Sequence, residues 1–84
     1  MMTDLTQQVI QVIATHLHAD ASKITRDTQL EDFGADSLQL VEIIMELEDK
    51  FDIEIEMNAG ELWESLRDVG SIVDRISKLS AAKV

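Results

Sequence analysis

The sequence holds no cysteine, and its 84 residues carry only 7 Lys plus Arg against 17 Asp plus Glu. Without cysteine there can be no disulfide, no thiolate metal site and no thiol chemistry of the polypeptide itself, so any thiol must be imported. The shortage of cations leaves a formal net charge of −10. Nucleic acid and anionic membranes both require counter-charge, which makes them unsuited as partners and leaves basic surfaces as the natural ones. Nowhere do about 18 apolar residues follow one another, and the opening MMTDLTQQVI lacks a basic region leading into an apolar run. A soluble, cytoplasmic chain without membrane insertion is expected.

Apolar content is not lacking. Hydrophobic residues make up 45% of the chain and recur with a clear period, which disordered acidic chains do not show. At this length a single domain over residues 1–84 is expected, of modest stability, about 4–13 kcal/mol in all. Such a margin leaves little for strained catalytic machinery and suits a binding module.

The spacing of Leu5, Val9, Val12, Ile13 and Leu17 predicts a helix from about Asp4 to Leu17, with Thr3 placed to cap it. His16 and His18, two apart, do not share a helical face and have no further ligands nearby in sequence, so no metal site is expected. From Ala19 to Asp36 the period is lost. That segment reads as a long loop pinned by Ile24, Leu30 and Phe33.

A second helix is predicted from Ser37, with Asp36 as N-cap and Gln39 completing a capping-box pattern. Leu40, Ile44, Leu47 and Phe51 form its buried stripe, widened by Val41 and Met45, while Glu42, Glu46 and Asp49 line up elsewhere on the cylinder. The alternating pair Ile53 and Ile55 is too short for a sheet of its own. Asn58 and Glu61 repeat the capping-box spacing before a short third helix, Ala59 to Ser65. Val69, Ile72, Val73, Ile76 and Leu79 give a final helix capped by Asp68 or Ser71, with SAAKV as a fraying tail. The expected fold is all-α, a four-helix bundle of three long helices and one short third helix.

Ser37 is the residue that asks for an explanation. A hydrolytic serine needs an adjacent base, the only histidines lie on the first helix, and GADSL lacks the second glycine of a nucleophile elbow. No catalytic residue is therefore assigned. A small polar residue in a first helical turn can be simply structural. The same position also presents unpaired N–H groups and a positive dipole end, which would stabilise a phosphate esterified to the hydroxyl.

The segment LEDFGADSLQLVEIIMELEDKFDIEI, Leu30 to Ile55, resembles the central part of acyl carrier proteins, and the helix order extends the resemblance over nearly the whole chain. In that family the serine of the Asp-Ser-Leu motif, here Asp36-Ser37-Leu38, receives 4′-phosphopantetheine from a phosphopantetheinyl transferase, and the thiol of that group carries acyl chains as thioesters. The resemblance implies a monomeric carrier and not an enzyme: the missing base belongs to the partner, and the missing thiol to the prosthetic group. It also implies partner docking through acids at Asp36, Glu42, Glu46 and Glu48, with Asp49 beside them, against basic patches of acyl-transferring, condensing or acyl-ligating enzymes. A one-sign face of this kind speeds encounter yet releases readily. Met45, Leu47, Leu62 and Trp63 are the candidate lining of an acyl pocket.

The chain departs from fatty-acid-synthesis carriers in having Gln39 where an acid is common and Glu56 where a proline is common, and its third-helix region is longer and contains Trp63. A general fatty-acid carrier, a specialised lipid or polyketide carrier, an aminoacyl or peptidyl carrier and an unmodified helical interaction module all stay open at this point. One physical consequence follows from charge alone. Added salt or divalent cations should raise the melting temperature by screening like charges, as read by circular dichroism. A Tm indifferent to both would mean that self-repulsion is minor.

Overall fold

A computed structural model describes residues 4–82, with the side chains of residues 81 and 82 excepted. Four α-helices follow in order: α1 (Leu5–Leu17), α2 (Ser37–Phe51), α3 (Ala59–Ser65) and α4 (Val69–Ala82). Two short 3-10 helices, Ala21–Lys23 and Leu30–Phe33, interrupt the long loop between α1 and α2. No strand occurs among the described residues, and the protein is an all-α bundle of three long helices and one short one. α1 packs against both α2 and α4, and α3 packs against α2.

The helix ends follow their local chemistry closely. The Asp36 carboxylate accepts from the Gln39 backbone N–H at 2.9 Å, so α2 starts at Ser37 as expected. Only that half of the predicted capping box forms there. α3 has the complete box: Asn58 Oδ1 accepts from the Glu61 N–H at 2.9 Å and Glu61 Oε1 from the Asn58 N–H at 3.2 Å. A seven-residue helix is marginal alone, and these reciprocal bonds plus burial of Leu62 hold it. At α4, Asp68 is the cap, accepting from the Ser71 N–H at 3.1 Å and the Ser71 hydroxyl at 2.8 Å.

Three expectations need correcting. Asp4 stands at the N-cap of α1 and its side chain makes no capping bond, while Thr3 lies outside the described residues. Ser80 to Ala82, expected in the tail, continue α4, while Lys83 and Val84 lie outside the described residues. Ile10 and Ile43, absent from the predicted stripes, are buried, because two neighbouring helices widen the covered face of α1 and of α2 beyond a single row.

The core is aliphatic. Val9, Ile13, Leu40, Ile43, Leu47, Ile72 and Ile76 are all but inaccessible, whereas Phe33, Phe51 and Trp63 pack at its rim. Ile24 and Leu30 are buried and Phe33 half-buried, which bears out their role as loop anchors. Backbone bonds complete that attachment. Leu30 N–H donates to the Arg67 carbonyl at 2.8 Å, Val69 N–H to Thr28 at 3.0 Å and Gly70 N–H to Arg26 at 2.8 Å, around an antiparallel bridge of Gln29 with Asp68. A Cβ at residue 70 would lie 3.1 Å from the Arg26 carbonyl oxygen, so glycine permits this close approach.

The Arg26 guanidinium bonds Asp74 at 2.9 Å across the same junction, and that carboxylate holds the guanidinium pKa above its usual value. Both groups are exposed, so the pair is a weak contributor. Leu30 should matter far more. Leu30→Ala is expected to cost ~2–5 kcal/mol in urea denaturation, a large share of the total, and Arg26→Ala much less. Equal losses would show that the ion pair, and not the buried anchor, holds the loop.

Candidate functional site

The approach to α2 is set by one turn. Gly34 takes φ 84°, in the left-handed region, and its N–H donates to Glu31 at 3.0 Å at the end of the preceding 3-10 helix. The next residue, Ala35, is buried and its N–H donates to Leu30 at 3.2 Å. This reversal delivers Asp36 in extended geometry to cap α2 and leaves Ser37 as the first helical residue, exposed to solvent.

The N–H groups of Ser37 and Leu38 and the Ser37 hydroxyl find no hydrogen-bond partner among the described residues, since the cap serves Gln39 and the Asp36 carbonyl serves Leu40. An exposed hydroxyl beside two free N–H groups and the positive end of a 15-residue helix is chemically fit to carry a phosphodiester. It is not fit to be a nucleophile. The His16 ring lies against the Glu46 carboxylate, Nε2 to Oε1 3.0 Å, nine residues further along α2 from Ser37, roughly 13 Å of helix. His18 ends α1 with φ 52°, exposed. Among the described residues no cluster of metal-ligating side chains occurs.

The acids expected to form one docking face divide into two groups. Glu42 and Asp49 are exposed, and their side chains make no hydrogen bond or ion pair with the described residues. Glu46 is instead engaged, its Oε1 3.0 Å from His16 Nε2, bracing α2 against α1. Glu48 turns toward the chain that leaves α2 and accepts from the Ile55 N–H at 2.6 Å, part-buried. The reason is angular: at 100° per residue, positions 46 and 48 fall on the flanks of α2, where neighbouring segments supply partners.

Met45 is also corrected. It is 59% exposed and Leu38 64%, and with Glu42 and Asp49 they form one outward stripe at positions 38, 42, 45 and 49. Met45 therefore lies outside the buried stripe of α2, whereas Leu47 and Leu62 are 0% and 4% exposed inside the core. Trp63 is half-buried and faces elsewhere again. It lines a surface groove of about 480 Å³ that opens at Asp36 and Ser37 and runs to α3, with Ala59, Gly60 and Glu64 on the α3 side. Ala35 and Glu31 close the other side. No periodicity signals that Glu31 or Glu64 would meet there: the 3-10 helix Leu30–Phe33 brings the first to the groove and the packing of α3 on α2 brings the second.

Comparison with known proteins bears on the family and on the fold. Residues 7–76 match the family described as "Phosphopantetheine attachment site". The chain is 38% identical over 81 residues to the acyl carrier protein of two Caulobacter vibrioides strains, covering 95% of this chain and all of theirs. The NMR structure of the HMG-ACPI domain from the CurA module of Lyngbya majuscula superposes with a TM-score of 0.75, over 100% of this chain and 92% of that one, at 20% identity. That likeness extends the agreement to the fold.

The two groups of acids can be told apart by experiment. Glu48→Ala should cost about 1–3 kcal/mol, because it leaves a part-buried N–H unpaired, while Glu42→Ala should stay within ~0.5 kcal/mol. Equal effects in chemical denaturation would show that the bond from the Ile55 N–H to Glu48 contributes little to stability.

Proposed function

Because the chain belongs to the acyl carrier protein family, whose carrier domain binds 4′-phosphopantetheine, we propose that Ser37 is the attachment residue and that the protein is a carrier with no catalysis of its own. The observation that carries this is the exposed Ser37 hydroxyl at the capped N-terminus of α2, beside two unbonded N–H groups and with no base in reach. When bound, the prosthetic group supplies a thiol on a flexible arm, which holds acyl intermediates as thioesters.

The residues of this chain then do three things. Asp36 fixes the helix start and so the direction in which Ser37 points. The Ser37 and Leu38 N–H groups and the helix dipole stabilise the phosphodiester charge. The outward stripe of Leu38, Glu42, Met45 and Asp49 offers alternating apolar and acidic contacts to a phosphopantetheinyl transferase, and to acyl-transferring, condensing or acyl-ligating enzymes with basic patches. Such contacts are weak singly but steer encounter together, which suits a shuttle that must let go. The setting is the cytoplasm, and the cargo class is fatty-acyl, specialised lipid or polyketide, or aminoacyl.

Incubation with coenzyme A and a permissive transferase should add one phosphopantetheine, located at Ser37 by peptide mass spectrometry. Ser37→Ala should keep its helical circular dichroism and take up none. Replacing Glu42 and Asp49 by lysine should slow modification roughly 10-fold at low salt, and salt should slow the wild type likewise. Addition at another residue, or none with several transferases, would favour an unmodified helical interaction module.

A further inference from the structure

The groove beside Ser37 has a composition that bears on cargo. Its volume of about 480 Å³ lies within the range of small-ligand sites. Its one aromatic is Trp63, half-buried, with only the small Ala35, Ala59 and Gly60 around it. Glu31 from the 3-10 helix and Glu64 from α3 are exposed at its edge, together with Asp36, and no cationic side chain lines it. Neither Glu31 nor Glu64 makes a side-chain hydrogen bond or ion pair with the described residues. The core offers no alternative berth without rearrangement, since Leu40, Leu47 and Leu62 are packed to 4% exposure or less.

Resting on the assignment of the arm to Ser37, we propose that this groove is the cargo-recognition site and that its cargo is a compact acyl group bearing a cationic amine, as in an aminoacyl thioester. An ammonium over the Trp63 ring gains cation–π attraction, and Glu31 and Glu64 complement its charge. A carboxylate-terminated acyl group of the same size meets three acids and no cation. A long alkyl chain finds one ring and three small residues, too little apolar surface to cover its length. The proposal favours the aminoacyl branch of carrier function over the fatty-acid one.

The test loads Ser37 from coenzyme A amide analogues of matched length: β-alanyl, butyryl and succinyl. Intact mass is read first. A chain that accepts no arm at Ser37 removes the premise and the proposal together, whereas a loaded chain tests the groove alone. Trp63, the sole tryptophan, reports groove occupancy by its emission. The β-alanyl form should shift that emission and melt roughly 2–8 °C above the butyryl form. The succinyl form should leave the emission unchanged and melt no higher than the butyryl form.

Net charge alone could favour the amine on so acidic a protein, and a pair of double variants separates the two effects. Glu31→Gln with Glu64→Gln should abolish the difference between β-alanyl and succinyl forms. Glu54→Gln with Glu56→Gln, the same charge change on the exposed segment between α2 and α3 outside the groove, should preserve it. Identical emission and Tm for all three cargoes, or a difference lost equally in both double variants, overturns the proposal.

Discussion

The junction between the long loop and the α3–α4 connection is the constraint on which the site depends. Eighteen residues separate α1 from Asp36, too many to hold a fixed path on local turns alone. Three backbone bonds, from Leu30, Val69 and Gly70, fasten that loop to the start of α4, and burial of Leu30 and Ile24 makes the attachment cooperative. The Gly34 turn can then present Asp36 and Ser37 at a defined place. The same junction sets α3 across from Ser37, so that one set of contacts positions both walls of the groove.

α2 divides its circumference among separate tasks. Leu40, Ile43, Ile44 and Leu47 face the core, and Leu38, Glu42, Met45 and Asp49 face solvent. Between them, Glu46 reaches His16 on α1 and Glu48 reaches the Ile55 N–H, tying the helix to what precedes and follows it. Two of its acids thus have partners within the chain, and two are left exposed to solvent.

The chemistry is divided between chain and prosthetic group in the same spirit. A protein without cysteine cannot form a thioester itself, and a serine with no base cannot attack one. What remains is presentation: a hydroxyl held at a helix N-terminus, and a small surface groove next to it in place of an internal cavity. The aliphatic core is closed, and the three aromatics, Trp63 among them, lie at its edge.

Much of this was legible in the amino-acid sequence, for reasons that are local. Helix starts at Ser37, Ala59 and Val69 are written in caps whose donors lie within three residues, and the inward faces follow the helical period of Leu, Ile and Val. The Asp36-Ser37-Leu38 motif and its place at a helix start belong to the same category. Tertiary structure decided what depends on neighbours far along the chain. That Glu46 reaches His16, thirty residues away, and that Met45 is surface and not core, are fixed by which segments pack on each flank of α2. Periodicity measures the angle of a side chain around its own axis, and only packing determines what waits at that angle.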